Sequence, residues 1–352
     1  MLAAVGCSDD LPRASTIAAM RVLGARMEVE GDAERSTPKP GEIAHVTWSM
    51  AYPDLTQDDS ELSTLLATCT APKDFSGVPI CQELIDVARG GSLVDVLSAS
   101  GALRKANCKE KPDDRIEAGP FTITCVTGTP RSDVKVEAGY KGDAKLIQGI
   151  ICRNGTPVFD QDEPTGARCE PKPGVKANKV ESIAVYGTVP IQHKDKDANH
   201  NPTLDAARFG FGKGGVEWPA LTPEESQEIL PDCAQAAVDL RVVSSSGKND
   251  ELSIEYDASA RELYEGDPEP LEFSTYVTMG ELDRRFTVFG PDSKKPFKSK
   301  LKWNVDRETR DKYADKPRLV RFYFTLLDHR GGFSITARDV CVGRDLATDA
   351  QK

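Results

Sequence analysis

The sequence predicts a mostly β protein of two antiparallel β-sandwich domains, the first with a small helical insert. Three observations predict this. Apolar and polar residues alternate with the period of two expected of half-buried strands in many short segments. Turn residues separate those segments, and the helices that a parallel βαβ architecture would place between strands are missing. A polar stretch from His193 to Pro202, with no apolar side chain larger than alanine before its closing proline, divides the chain. The expected organisation is a polar segment over 1–19, a cysteine-rich β domain over 20–192, a linker over 193–203, a second β domain over 204–345 and a tail over 346–352.

Taken in order, Arg21 to Val29 alternates Leu23, Ala25, Met27 and Val29 with Gly24, Arg26 and Glu28. The turn Ser36-Thr-Pro-Lys-Pro-Gly41 leads to a second strand, Ile43 to Met50, with Ala44, Val46, Trp48 and Met50 on one face and His45 on the solvent side. Leu62 to Thr70 is the third strand. From Gln82 to Leu103 the apolar spacing turns helical, broken at Gly90-Gly91, which predicts one or two short helices decorating the sheet. Strand signals return at Phe121 to Val126, Lys145 to Cys152 and Val180 to Ile191.

Beyond the divide, strands are expected at Leu204 to Phe211, Ala234 to Val243, Leu252 to Tyr256, Leu271 to Met279, Phe286 to Phe289, Leu301 to Val305, Leu319 to Leu327 and Phe333 to Val342. Two alternate cleanly: Leu271, Phe273, Thr275, Val277 and Met279 share one face, as do Val320, Phe322, Phe324 and Leu326. Paired glycines in Asp328-His-Arg-Gly-Gly332 suit the hairpin joining the last two strands.

The 352 residues allow about two domains at roughly 150 residues each. With 39% apolar and 29% charged residues, the chain has the composition of a globular protein and no run of apolar residues long enough to span a bilayer. A net charge of −11, spread along the chain, disfavours a nucleic-acid partner, since phosphate binding needs a basic face. Of nine cysteines, Cys7 stands apart. The other eight lack Cys-x-x-Cys spacing, which favours disulfides in an oxidising compartment over zinc. Sequential pairing closes short loops at the lowest entropic cost: Cys69 with Cys81, Cys108 with Cys125, Cys152 with Cys169, and Cys233 with Cys341.

Leu2-Ala-Ala-Val-Gly-Cys7 resembles the end of a bacterial lipoprotein signal peptide, in which small residues precede a cysteine that is lipidated. The resemblance implies lipidation at Cys7, and it places the basic and apolar regions of an export signal upstream of Met1. The Asp-x-Arg-Gly-Gly turn and the final strand Ser-Ile-Thr-Ala-Arg-Asp-Val-Cys-Val resemble the C-terminal end of PKD-like and Ig-like domains of bacterial surface proteins. Pro40-Gly41 before the strand with Trp48, the cysteine-bearing loop after it, and Asn199-His-Asn-Pro202 are similar to myxobacterial envelope lipoproteins. These resemblances cover most of the chain and imply an Ig-like fold and an envelope location. No catalytic residues come with them.

Asp195, Asp197, Asn199 and Asn201 carry side-chain oxygens at the spacing with which calcium loops open. The loop's glycine position is His200, its twelfth position is Ala206, and Lys194 and Lys196 oppose a cation. A solvated polar linker is the competing reading. Gly210-Phe-Gly-Lys-Gly-Gly215 has the letters of a dinucleotide fingerprint, but Val216-Glu-Trp-Pro219 follows where a helix should open, so a glycine-rich surface loop is expected. Gly-x-Ser-x-Gly, His-Glu-x-x-His and Ser-x-x-Lys are missing from the sequence. His329 and Asp328 are expected in solvent at a hairpin tip, too close in sequence for a catalytic pair. Trp218, in a loop before Pro219, is the expected exposed aromatic, forming with Phe211, Phe209 and Tyr186 a contact patch for a partner.

The function expected is non-catalytic binding or structural display by an exported envelope lipoprotein, held in the outer membrane through Cys7. Its partner would be another envelope protein or a polysaccharide, and Ca²⁺ its one candidate ion. Two other readings stand: a secreted polysaccharide hydrolase using loop carboxylates, and a calcium-dependent adhesion or assembly subunit.

Overall fold

A computed structural model describes residues 14–72, 81, 108, 113, 115–118, 121–160, 167–194, 198–212, 216–218, 242–243, 250–264, 266–290, 292, 296–306, 309 and 318–342. The helical spacing at Gln82 to Leu103, most of the strand expected over 234–243, Cys7 and Cys233 lie outside the described residues.

The N-terminal half contains β1 (Arg21–Val29), β2 (Ile43–Ala51), β3 (Leu62–Thr70), β4 (Arg115–Ala118), β5 (Phe121–Thr127), β6 (Arg131–Lys135), β7 (Ala144–Arg153), β8 (Gly155–Phe159), β9 (Ala167–Pro171) and β10 (Glu181–Pro190). One layer has the order β1-β2-β6 and the other β10-β7-β3-β5-β4, while β8 and β9 form a separate hairpin. All these pairings are antiparallel. The core lies between the layers, where Met27, Val46, Trp48 and Val134 meet Leu62, Leu66, Ile147 and Val189.

β3 is buried on both faces, not one. Its second face carries Leu65, packed with Ile123, Cys125, Ile150 and Cys152. Three disulfides staple this side as the spacing predicts: Cys69–Cys81, Cys108–Cys125 and Cys152–Cys169, at separations of 12, 17 and 17 residues. Each restricts the unfolded chain, which is worth about 3 kcal/mol for loops of this length.

The C-terminal half contains β11 (Ala207–Phe211), β12 (Val216–Glu217), β13 (Val242–Val243), β14 (Asp250–Tyr256), β15 (Leu263–Tyr264), β16 (Asp267–Pro268), β17 (Leu271–Val277), β18 (Glu281–Leu282), β19 (Phe286–Phe289), β20 (Phe297–Asn304), β21 (Arg318–Leu327) and β22 (Phe333–Val342). Its two sheets run β12-β11-β14-β20-β18 and β13-β22-β21-β17-β19, with β15 and β16 as a small hairpin. Among the described strand-to-strand pairings only β13 against β22 is parallel, beside the isolated parallel bridge of Thr16 to Val277. Edge-to-face aromatic contacts fill the space between the sheets: Trp303 to Phe322 at 5.0 Å and Trp218 to Phe322 at 5.2 Å.

Of the expected strands that lie wholly within the described residues, two begin three or more residues from their expected start. The strand expected from Leu204 begins at Ala207, because the Ala207 N–H turns back to the Leu204 carbonyl (2.9 Å). β20 begins at Phe297, four residues before the expected Leu301. Its run Phe-Lys-Ser-Lys-Leu-Lys-Trp buries Phe297, Ser299, Leu301 and Trp303 and turns three lysines outward. The period of two is intact there, and the lysines disguise it.

β17 is buried on both faces because the two halves pack together. Leu271, Phe273 and Val277 face the C-terminal core. Tyr276 faces the other way, into a cluster with Ile17, Leu23 and Ala51 of the N-terminal half. Gly24 of β1 leaves room for the Phe333 ring, which a Cβ at this position would meet at 2.1 Å. The segment expected as a polar tether over 1–19 ends in structure: Ser15 to Ile17 pairs with β17, through Ile17 N–H to the Val277 carbonyl (2.9 Å) and Val277 N–H to the Ser15 carbonyl (2.9 Å).

Candidate functional site: the join between the sandwiches

The end of the polar stretch that divides the sequence reaches inside the protein, while His193, Lys194 and His200 are exposed. Asp195 and Asp197 lie outside the described residues, but Asn199 and Asn201 are 0% and 6% exposed. A buried amide needs partners; the NH2 groups of both and Asn201 Oδ1 find them, while Asn199 Oδ1 accepts no hydrogen bond. Asn199 Nδ2 donates to Ser36 Oγ (2.9 Å) in the N-terminal half and to Asp328 Oδ2 (2.8 Å) in the C-terminal half. Ser36 N–H donates to the Asn199 carbonyl (2.8 Å), and Asn199 N–H donates to Thr37 Oγ1 (3.0 Å). Asn201 Nδ2 donates to the Met27 carbonyl of β1 (2.7 Å), while its Oδ1 accepts the Phe333 N–H of β22 (3.1 Å).

These contacts bear on half of the calcium set, since Asp195 and Asp197 lie outside the described residues. The side-chain oxygen of Asn201 is taken by a backbone donor, and Asn199 turns its nitrogen to a carboxylate that a cation would need. Among the described residues, no three His, Cys, Asp or Glu side chains stand together as a metal site. The free-linker alternative fails for the same reason at 198–203, where Asn201 N–H bonds to the Glu34 carbonyl (2.7 Å) and Arg330 donates to the Ala198 carbonyl (2.7 Å).

The hairpin Asp328–Gly332 forms the C-terminal wall. Asp328 is 0% exposed, contrary to the solvent position expected for it. Its Oδ1 accepts the N–H groups of Arg330 (2.7 Å) and Gly332 (2.9 Å), leaving Oδ2 for Asn199. A side chain at residue 332 would place its Cβ 2.1 Å from Oδ2, so only glycine admits this carboxylate. His329 takes the positive φ of the turn (60°) and points outward, 3.5 Å from Glu272.

Behind Asp328 lies a second acidic layer. His200 Nδ1 is 2.8 Å from Glu262 Oε1, and Arg330 stacks at 4.0 Å over the Tyr264 ring. Arg330 Nη1 stands 3.9 Å from both Glu262 Oε2 and Glu269 Oε2. Glu269 is 3% exposed; its Oε1 accepts the Glu262 N–H (3.1 Å), and Oε2 has no hydrogen-bond donor. Burial pushes its carboxyl up to about 7; the Glu262 N–H opposes the shift, and the charges of Asp328 and Glu262 reinforce it.

The aromatic contact patch is not on the surface. Trp218 and Phe211 are 5% and 4% exposed, with Phe209 beside them in the C-terminal core. Trp218 Nε1 donates to the Asp339 carbonyl (3.1 Å), and Arg338 Nε donates to the Trp218 carbonyl (2.8 Å). The glycine run reads as a loop in sequence, but Gly210 and Phe211 end β11, which pairs with β12 beside Trp218. Among the described residues, the exposed large apolar side chains are instead Leu263, Tyr264, Phe286 and Val288, on β15 and the edge strand β19.

An open groove of about 750 Å³ crosses the outer face of β11, β14 and β20, between Arg208, Gly210, Glu217, Ser253 and Lys300. Two of its carboxylates are held by lysines: Glu251 by Lys300 (2.5 Å) and Glu255 by Lys298 (2.9 Å).

No family model matches the chain, and no curated protein matches it. Among solved structures, the native conformation of E. coli alpha-2-macroglobulin is similar over 93% of this chain and 17% of that one, at 6% identity and a TM-score of 0.23. The chain spans about a sixth of the length of that structure, and a likeness this slight bears on neither fold nor function.

Proposed function

We propose that this is an exported, lipid-anchored envelope protein that acts without catalysis, in binding or structural display, through the loops of two locked β-sandwiches. The observation that carries the reading is the clamp of Ser15–Ile17 on β17. Cys7 precedes Ser15 by eight residues, a span of no more than roughly 29 Å of extended chain. A lipid on Cys7 would hold the body close to the membrane, anchored at the seam between the halves. Two or more acyl chains, as on bacterial lipoproteins, give stable anchoring where one is marginal. Three disulfides fit the oxidising compartment such a protein occupies. Rigid sandwiches suit display, because loops held by a fixed scaffold present a fixed surface. The test is incorporation of labelled fatty acid in a bacterial host with lipoprotein processing. The parent should take up label and fractionate with membranes, and Cys7→Ala should do neither. Label retained by Cys7→Ala would overturn the anchor.

A further inference from the structure

The join is fastened by hydrogen bonds that converge on one turn, and a buried carboxyl stands behind it. Arg330 uses Nη2 to hold the Ala198 carbonyl (2.7 Å) while its Nη1 lies 3.9 Å from Glu269 Oε2, too long for a hydrogen bond. Glu269 is buried, one of its oxygens has no donor, and two other acids, Glu262 and Asp328, act on it. Such a site favours the neutral acid. The other groups facing it are Arg261 and Tyr256, with His200 reaching the cluster through Glu262.

We propose that Glu269 is the switch of a latch between the two sandwiches: neutral, it leaves Arg330 and Asp328 to hold Ala198 and Asn199; ionised, it draws Arg330 off the join and repels Asp328. The latch thus releases as pH rises. The sign follows from linkage. Glu269 holds its proton up to about 7 in the folded protein, against roughly 4.3 in an unfolded chain. Its stabilising contribution is complete below the lower value and is lost as pH rises through this window. An envelope protein held by such a latch is one body in mildly acidic surroundings and hinged in alkaline ones.

The test is amide hydrogen exchange on the full chain carrying Cys7→Ala, which makes it independent of the lipid anchor. Exchange is read at pH 5, 6, 7 and 8 and corrected for intrinsic rates. Protection at 198–201 should fall by roughly tenfold or more between pH 5 and 8, while the central strands β3 and β7 stay protected. Glu269→Gln, a neutral mimic of the acid, should hold protection at 198–201 constant over this range. A flat profile in the parent overturns the latch whatever the variant does. So does a parent-like loss in Glu269→Gln, or a loss of protection in β3 and β7 that keeps step with the join.

Discussion

At the scale of single residues, Asp328 is the pin on which the join turns. It receives three donors, from Asn199, Arg330 and Gly332, and is fully buried. Removing one carboxylate therefore leaves three buried donors without an acceptor, each costing about 1–3 kcal/mol when water cannot reach it. Partial repair by inward movement of the chain lowers the sum. Asp328→Ala should destabilise the protein by about 3 kcal/mol, read as a shift in denaturant midpoint at constant slope. Asp328→Asn, which keeps an acceptor for the Arg330 and Gly332 N–H groups but sets an NH2 against Asn199 Nδ2, should cost about half as much. Equal effects from the two variants would mean that the charge, not the acceptor, holds the turn. The sequence shows Asn199 and Asn201 as oxygen-bearing side chains at regular spacing, and that much is legible. It does not show that their partners are Met27, Ser36, Asp328 and Phe333, each more than a hundred residues away. Trp218 misleads for the same reason: its neighbours Gly215 and Pro219 signal a loop, while the groups that bury it, Asp339 and Arg338, come from the far end of the chain.

At the scale of elements, most long strands are legible because apolar and polar residues alternate along them. β1 and β22 begin and end where that alternation places them. Short strands such as β4, β6 and β18 are lost, since two to five residues carry too little period to stand out from turns. Burial of both faces is also hidden, because β17 keeps the apolar pattern of a half-exposed strand while its polar face lies against the other half. The cysteines are legible through loop length alone, and the three local pairs stand as that argument predicts. The fourth expected pair, Cys233 with Cys341, can be tested by thiol counting. In denaturant without reductant, Cys7→Ala should titrate with fewer than about one thiol per chain, whereas two would show Cys233 and Cys341 unpaired.

At the scale of the whole molecule, the decisive feature is that neither half buries its own surface fully. The outer face of β17, β21 and β22 is covered by β1 and by Ile17, and β1 accepts Phe333 only because residue 24 is glycine. Two sandwiches joined by a free linker melt separately, but two that share a buried face and buried hydrogen bonds melt together. Calorimetry at pH 5, where Glu269 is neutral, should therefore give one transition for the parent. Gly24→Val puts a branched side chain where the Phe333 ring lies, and the ring has to leave the interface. Overpacking of this kind costs about 1–3 kcal/mol, and here the cost falls on the coupling between the halves and not on either core. The variant should melt in two steps, the disulfide-stapled half at the higher temperature because its unfolded state is the more restricted. A single transition merely shifted downward would instead place the coupling in the join at Asn199 and Asn201, and the double variant Gly24→Val with Asp328→Ala would then be needed to separate the halves.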